Sequence, residues 1–200
     1  MRHITIVRHG QTASNAAKLL QGRRDIALSE NGLLQANALA DALRDDLFDH
    51  IVSSPLQRAL HTAEAVAQDR AVPVQLDLRL QERSFGDFEG QSVQVYQDAL
   101  AASGALRWVY RPPGGETIDD VWQRCSAFLA DLHAQPFRKI LIAAHEGINR
   151  ALVLQLLGRP VLEWTSFKQE NCCINRFCFD EDGRPGEYSL NDVDHLATLR

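Results

Sequence analysis

His3-Ile4-Thr5-Ile6-Val7-Arg8-His9-Gly10 begins as a run of mostly β-branched residues and ends in a cation, an imidazole and a glycine. β-Branched residues pack well in strands, so we predict a first strand over residues 4–8. The carboxyl end of this strand presents Arg8 and His9 side by side. Gly10 lets the backbone turn sharply there, or lets a ligand approach it closely.

An arginine beside a histidine suits attack on a phosphoryl group. The guanidinium of Arg8 can hold phosphate oxygens through a planar fork of donors. Its positive charge also lowers the pKa of the neighbouring His9. A ring nitrogen of His9 therefore stays unprotonated and nucleophilic near neutral pH.

The rest of the chain alternates between strand and helix patterns. A continuous apolar run at 139–144 is typical of a strand covered on both faces. Ser29 and Thr117 are predicted helix N-caps, the latter with Asp120 three residues on. We predict further strands over 51–53, 72–76, 174–179 and 187–190, a turn over 182–186, and helices from 29 to about 47, 55 to about 68, 93–101, 117–132 and 147–157.

This alternation predicts an α/β protein: a three-layer α/β/α sandwich with a mostly parallel central sheet, in one domain over residues 1–200. Ligands of such sheets bind beyond the carboxyl ends of the strands. Arg8 and His9 end the first strand, Ser53 and Ser54 end the second, and His145 follows residues 139–144. We expect these three strand ends to point into one crevice.

Three further side chains are candidates for the same crevice. Arg58 lies one turn into the helix after Ser54, so it either reaches back toward the anion-favouring helix N-terminus or is a solvated surface arginine. His145 is either a packed core residue or a donor to phosphoryl oxygens. A general acid is expected among the carboxylates of residues 80–90, but position alone does not separate Glu82, Asp87 and Glu89.

Composition and simple sequence patterns restrict the partners, the compartment and the metal sites that we expect for this protein. The net charge of −5 argues against a nucleic-acid surface. We expect no membrane association, because no apolar run approaches about 20 residues. No signal-peptide pattern begins the chain, so a cytoplasmic protein is expected. The four cysteines lack Cys-x-x-Cys spacing, which favours buried apolar side chains over a zinc site.

The order of motifs along the chain resembles that of the histidine phosphatase superfamily, which has the phosphoglycerate mutase-like fold. The similarity covers nearly the whole chain. It rests on Arg8-His9-Gly10 with Thr12 and Asn15, Gln21-Gly22, Ser53-Ser54-Pro55-Leu56-Gln57-Arg58-Ala59, Glu82 before Phe85-Gly86-Asp87-Phe88-Glu89-Gly90, Gly114-Gly115-Glu116-Thr117 and Ala144-His145-Glu146-Gly147.

This resemblance implies a metal-independent phosphomonoesterase that needs no cofactor and acts on a small phosphorylated metabolite. It implies that His9 is the nucleophile that becomes phosphohistidine and that Glu82 is the acid and base. The phosphate pocket would be formed by Arg8, Arg58 and His145. Further substrate contacts would come from Asn15, Gln21, Gly22 and, on weaker similarity, Arg83.

Two other functions use the same residues. A cofactor-dependent phosphoglycerate mutase would return the phosphoryl group to a bound sugar acid, but related mutases carry a longer insertion between the acid and the second histidine. A non-catalytic phospho-ligand module is disfavoured because both His9 and Glu82 are present. The late strand at 174–179 is a candidate sheet edge that could pair two subunits into a homodimer.

One position departs from the family pattern. Many relatives have glycine directly after the second histidine, where this chain has Glu146. The backbone N–H is retained, but a carboxylate facing the pocket would repel a substrate rich in negative charge. Whether Glu146 faces the pocket or points away is left open by the sequence.

Overall fold

The computed structural model describes residues 1–68, 70–180 and 183–199. Its strands are β1 (Arg2–Arg8), β2 (His50–Ser53), β3 (Val74–Leu76), β4 (Lys139–Ala144), β5 (Ile174–Phe179) and β6 (Pro185–Asp192). Its α-helices are α1 (Ala13–Ala16), α2 (Glu30–Ala42), α3 (Gln57–Ala67), α4 (Val93–Ser103), α5 (Ile118–His133) and α6 (Glu146–Leu156). Short 3-10 helices cover Leu78–Leu80, Gly86–Phe88, Val161–Glu163 and Asp194–Leu199.

The six strands form one sheet in the order β3-β2-β4-β1-β5-β6. The pairs β3-β2, β2-β4 and β4-β1 are parallel, and β5 and β6 add to this core as an antiparallel pair. The prediction of a mostly parallel sheet is confirmed. The prediction that residues 174–179 form an edge is wrong, because β6 pairs with β5 on the side away from β1.

Helices cover both faces of the sheet, which confirms the three layers. Ile4, Ile6 and Ile142 point to one face, where they pack with α5 and α6 in the first core. The alternate residues Val7 and Leu141 point to the other face and pack with α2 and α3 in the second core. The side-chain period of two along a strand puts successive residues of β1 and β4 into different cores.

A third, smaller apolar cluster lies around α4. Its buried members are Leu20, Tyr96 and Leu100, and the partly buried Phe85 and Phe88 pack against them. The rings of both phenylalanines meet Tyr96 edge-on, with centroids 5.2 and 5.7 Å away. Edge-to-face contacts of this kind are favourable for aromatic rings. The cluster forms a wall beside the crevice at the strand ends.

Several element boundaries differ from the sequence-based ones. The helix capped by Ser29 ends at Ala42 rather than near Leu47. The next helix begins at Gln57, two residues after Pro55. The strand at 72–76 begins at Val74, and the strand at 187–190 extends over Pro185–Asp192. The predicted turn at 182–186 begins at Asp182, which lies outside the described residues.

Burial of the cysteines agrees with their interpretation as apolar side chains. Cys125, Cys172 and Cys173 are buried, Cys178 is half-buried, and all four are free thiols. Burial raises the pKa of Cys125 and of Cys173 to about 12, so both thiols are protonated at neutral pH. Within the described ranges, no helix is long and apolar enough to cross a bilayer.

Candidate active site

Three neighbouring strands end side by side at the crevice. Arg8 pairs with Ala144, and Ser53 pairs with Ala143, so β1, β4 and β2 stop at the same level. The backbone N–H of His9 then donates to the carbonyl of Ala144 at 3.1 Å, and that of Ser54 donates to Ala143 at 3.0 Å. These bonds extend the sheet by one residue and bring His9, Ser54 and His145 together.

His9 is buried, and its hydrogen bond to the backbone fixes its tautomer. Nδ1 lies 2.7 Å from the carbonyl oxygen of Gly10. A carbonyl only accepts, so Nδ1 carries the proton and Nε2 of the neutral ring keeps its lone pair. Burial lowers the pKa of His9 well below 6.5, and the charges of Arg8 and Arg58 lower it further. The ring is therefore neutral at neutral pH, with burial as a larger cause than the neighbouring arginines.

Arg8 has one buried donor without a partner. Its Nη1 donates to the carbonyl of Gln169 at 2.5 Å and lies 3.3 Å from a carboxylate oxygen of Glu146. Its buried Nε finds no hydrogen-bond partner among the residues the structure describes. An unsatisfied buried donor costs about 1–3 kcal/mol. A bound anion at the crevice would satisfy this donor.

Arg58 is fully buried, so the alternative that it is a solvated surface arginine is excluded. Nη1 and Nη2 donate to the carbonyls of Arg24 and Gly22, each at 2.8 Å. Nε donates to Nδ1 of His145 at 3.2 Å. Burial lowers the pKa of Arg58 to about 10, so the guanidinium keeps its charge at neutral pH. Its position is set by loop carbonyls that come from a distant part of the sequence.

His145 is buried and held through both ring nitrogens. Because Nδ1 accepts from Arg58, the neutral ring carries its proton on Nε2, which donates to the hydroxyl of Ser54 at 2.8 Å. Burial and then the charge of Arg58 lower its pKa well below 6.5. Its ring centroid is 5.2 Å from that of His9. The sequence placed Ser54 at the strand end but indicated no partner for it.

Glu82 is the one of the three candidate carboxylates that lines the cavity with His9. Its oxygens accept from the backbone N–H of Arg83 at 2.8 Å and of Gly147 at 3.3 Å. Burial raises the pKa of Glu82, although these two bonds and the charge of Arg58 oppose the shift. Glu89 instead accepts from the backbone N–H groups of Phe85 at 3.0 Å and Arg23 at 3.1 Å, and so joins two loops.

The crevice opens into a cavity of about 580 Å³. Asn15, Gln21 and Gly22 lie on its wall. Gln21 is held by the hydroxyl of Thr12, which donates to its side-chain oxygen at 2.9 Å. The apolar part of the lining comes from Leu19, Leu20, Phe85, Val93, Tyr96, Ile118 and Trp164. The cavity thus combines a cationic end with a mixed polar and apolar wall.

Arg83 also lies on the cavity wall, but its guanidinium is tied to the backbone. Nε donates to the carbonyl of Glu116 at 2.8 Å and Nη2 to that of Tyr110 at 3.2 Å. The guanidinium stacks over the ring of Phe85 at 5.0 Å from the centroid. These contacts join the loop after Glu82 to the segment that precedes α5.

The site contains supporting polar residues that the sequence analysis did not identify. The hydroxyl of Thr62 accepts from the backbone N–H of Gly10 at 3.1 Å. The amide of Asn171 donates to the carbonyl of His9 at 3.0 Å. Gln169 and Asn175 are buried and hydrogen-bonded to each other at 2.7 Å. The polar residues shortly before β5, which include Gln169 and Asn171, were the available signal in the sequence. Polar side chains that become buried need hydrogen-bond partners, so such a run indicates a hydrogen-bonded network.

The fold brings two histidines, two arginines and a carboxyl with a raised pKa to one crevice, and this arrangement fits a class of enzymes that move phosphoryl groups by way of histidine. A family model described as the histidine phosphatase superfamily, branch 1, matches residues 4–192, and the chain belongs to this family. It is a phosphomonoester hydrolase of the phosphoglycerate mutase-like fold.

Named relatives agree with this assignment. Glucosyl-3-phosphoglycerate phosphatase of Mycolicibacterium vanbaalenii is 37% identical over 176 residues, which cover 82% of this chain and 78% of that protein. Adenosylcobalamin/alpha-ribazole phosphatase of Escherichia coli is 33% identical over 173 residues, which cover 84% and 85%. A solved mycobacterial glucosyl-3-phosphoglycerate phosphatase in complex with VO3 superimposes with a TM-score of 0.85 at 33% identity, covering 96% of this chain and all of that one.

Proposed function

We propose that the protein hydrolyses a small phosphorylated metabolite in two steps through His9. In the first step Nε2 of His9 bonds to phosphorus while the ester P–O bond breaks, and Glu82 gives its proton to the leaving oxygen. In the second step Glu82 takes a proton from water, whose oxygen bonds to phosphorus as the N–P bond breaks. Inorganic phosphate leaves and both residues return to their starting states.

The observation that carries this proposal is the hydrogen bond between Nδ1 of His9 and the carbonyl of Gly10 at 2.7 Å. It leaves Nε2 as the nitrogen with a lone pair, in a ring whose pKa is lowered by burial. Glu82, whose pKa burial raises, shares the same cavity. A neutral nucleophile and a protonated carboxyl are the two states that the first step requires.

Phosphoryl oxygens in this scheme are held by cationic side chains. Arg8 offers its unpartnered Nε, and Arg58 adds a buried charge beside it. Fixed charges of this kind stabilise the negative charge that accumulates on the phosphoryl oxygens. His145 would donate to the same oxygens through Nε2–H once its bond to Ser54 is exchanged for a phosphoryl contact. The scheme requires no metal ion and no cofactor.

The substrate class follows from the cavity beyond the cationic end. Its size and its mixed wall suit the body of a phosphorylated sugar or a similar small metabolite. Asn15, Gln21 and Gly22 are placed to contact this body, and Arg83 shapes the wall. The names of the relatives, which include phosphatases of glucosyl-3-phosphoglycerate and alpha-ribazole, support the same class. The 200 residues would act as one domain in the cytoplasm, without nucleic acid or membrane.

The test uses phosphate release and a covalent label together. We expect the enzyme to release inorganic phosphate from p-nitrophenyl phosphate without added bisphosphoglycerate, and acid-labile label from a ³²P-substrate to appear on the protein. His9→Ala should abolish both, with a loss in kcat of about 10⁴-fold or more. His3→Ala, on the same strand, is the matched control and should keep both.

Two outcomes would contradict the scheme. Label retained by His9→Ala would place the intermediate elsewhere. Phosphoryl return to a sugar acid without phosphate release would identify a mutase instead of a phosphatase.

A further inference from the structure

Glu146 faces the cavity, so the side chain that departs from the family pattern lies at the phosphate end. It is the first residue of α6 and directly follows His145. One carboxylate oxygen lies 3.3 Å from Nη1 of Arg8, and the other lies 3.0 Å from Nη2 of Arg150. The Glu146 side chain is 43% exposed, whereas each arginine side chain is 12% exposed. The carboxylate thus bridges two largely buried cations at the cavity wall.

The partner arginine anchors this carboxylate. Nη1 of Arg150 donates to the carbonyls of Trp164 and Phe167 at 2.5 and 2.7 Å. The guanidinium also stacks over the ring of Phe167 at 5.5 Å from the centroid. Because Arg150 is held by these contacts, the carboxylate of Glu146 keeps its bond to Arg150 even when a ligand takes over Arg8. Its negative charge therefore stays beside the phosphoryl site during binding.

We propose that Glu146 is a specificity-determining residue, which selects monophosphates with an uncharged body over those that carry a second anionic group close to the phosphoryl group. This inference rests on the proposed function and extends it to the choice of substrate. The phosphoryl group itself still meets Arg8 and Arg58. A nearby carboxylate or second phosphate would instead meet the fixed charge of Glu146.

The size of the effect follows from Coulomb's law. Two like charges about 10 Å apart at an effective dielectric constant of about 20 repel each other enough to change binding roughly tenfold. Lys18 and Arg107 also line the cavity, but both are exposed, so solvent and salt screen their attraction. Arg83 and Arg150 have their guanidinium groups bound to backbone carbonyls. The carboxylate of Glu146, by contrast, is held by two arginines, so its charge acts from a fixed position beside the phosphoryl site.

The experiment compares two substrates that differ only in this charge. Glycerol 3-phosphate and 3-phosphoglycerate share a three-carbon body and differ by a hydroxymethyl group in place of a carboxylate. We expect the ratio of kcat/KM for 3-phosphoglycerate to that for glycerol 3-phosphate to rise about tenfold in Glu146→Gln. Gln keeps the shape of the side chain and removes only its charge. Glu146→Asp, which keeps the charge, should hold the ratio near that of the parent enzyme.

The matched control is Glu163→Gln. Glu163 pairs with Arg159 four residues earlier in the chain, at 3.6 Å, and its side chain is 40% exposed. It does not line the cavity, so this variant should leave the ratio unchanged. An unchanged ratio in Glu146→Gln would overturn the proposal. An equal change in Glu146→Asp and Glu146→Gln would also overturn it, since shape rather than charge would then decide.

Ligand binding separates this proposal from the proposed function. Calorimetric titration with the same two compounds, with and without Glu146→Gln in the His9→Ala background so that neither compound is turned over, gives the ratio of dissociation constants. Tighter binding of 3-phosphoglycerate to Glu146→Gln, together with absent phosphate release in every variant, would support the role of Glu146 while refuting hydrolysis. Normal hydrolysis with an unaltered binding ratio would refute the role of Glu146 alone.

Discussion

Burial moves the pKa values of the two reacting residues toward each other. An ordinary histidine, with a pKa of 6.5, is largely protonated at pH values where an ordinary carboxyl, with a pKa of 4.5, is still protonated. Few molecules would then hold a neutral imidazole and a protonated carboxyl together. The lowered pKa of His9 and the raised pKa of Glu82 increase the fraction in this state. Burial at the strand ends therefore supports the chemistry directly.

The pH dependence of kcat/KM follows from these directions. Activity should rise as pH increases through the lowered pKa of His9, because the neutral ring is the nucleophile. It should fall as pH increases through the raised pKa of Glu82, because the proton for the leaving oxygen is lost. We expect a bell-shaped profile with its maximum between the two values, measured with glycerol 3-phosphate. A profile that keeps rising into alkaline pH would contradict the role of Glu82.

Glu82→Gln tests the acid separately from the nucleophile. In single-turnover experiments we expect the phosphorylation rate with glycerol 3-phosphate to fall by about 10²–10⁴-fold, since an alkoxide is a poor leaving group. The rate with p-nitrophenyl phosphate should fall far less, because nitrophenolate leaves without a proton. The matched control is Asp87→Asn, which removes a carboxylate of the same loop that does not line the cavity. Equal losses with both substrates would indicate a structural defect instead.

For single residues, the sequence indicated candidates for the site but not the contacts that they make. Reasoning from the residues left Glu82, Asp87 and Glu89 as equals, and only the family resemblance chose among them. The structure shows the physical difference, because Glu82 lines the cavity and accepts from Gly147 of α6, whereas Glu89 does not line it and accepts from Phe85 and Arg23. The bond between His145 and Ser54 and the ion pair between Glu146 and Arg8 likewise join residues far apart in the chain. Such contacts depend on tertiary packing, which one sequence does not display.

Among the elements, the N-terminus of α2 fixes the loop that carries His9. A Cβ on Gly32 would lie 2.0 Å from the carbonyl oxygen of Gln11, and one on Gly10 would lie 2.5 Å from that of Gly32. The hydroxyl of Ser29 also donates to the carbonyl of Gln11 at 3.1 Å. The loop and the helix are therefore in direct backbone contact, two residues beyond the nucleophile.

Gly32→Ala should push the loop after His9 away from the N-terminus of α2. We expect a loss of about 1–3 kcal/mol in the free energy of unfolding, as for other overpacked sites, and a fall in kcat as the loop shifts. Urea denaturation and steady-state kinetics measure the two effects. Gly186→Ala is the control, since a Cβ there would lie at an ordinary 3.4 Å from the carbonyl of Cys178. An unchanged free energy of unfolding in Gly32→Ala would mean that the loop moves aside without cost and is not fixed by α2.

Element boundaries were predictable where the pattern was local. The strands at Lys139–Ala144 and Ile174–Phe179 have the predicted limits, and Thr117 forms the predicted capping box with Asp120. The end of α2 was not predictable, because Arg70 donates to the carbonyls of Leu43 and Arg44 from the segment between α3 and β3. The side chain of Asp25 similarly accepts from the first N–H of α3, at Gln57. Partners of this kind move a helix end without a local signal.

Over the whole molecule, a single sheet couples the two cores. Leu141 and Ile142 are neighbours in β4 but pack into the second and the first core respectively. Loss of packing on either face therefore weakens the same central strand. We infer that the two cores unfold together, as small single domains usually do.

Leu141→Ala tests this coupling. We expect a loss of about 2–5 kcal/mol in the free energy of unfolding. The transition should shift equally by circular dichroism and by tryptophan fluorescence, although Trp122 and Trp164 pack against the opposite core. Leu47→Ala, at a side chain that is 79% exposed, should shift neither transition. Separate midpoints for the two probes would show that the faces unfold independently.

The place of β1 in the sheet has a consequence for biosynthesis. This strand precedes the other described strands along the chain, yet its two partners are Lys139–Ala144 and Ile174–Phe179. Contacts between residues so far apart in the chain form slowly, because a long loop must close, at a cost in entropy, before the contacts can stabilise it. The apolar segment that leads to His9 therefore stays unpaired until residues 139–144 and 174–179 have been translated. Chaperone capture of nascent chains is expected at this segment, and the nucleophile reaches its final surroundings only late in synthesis.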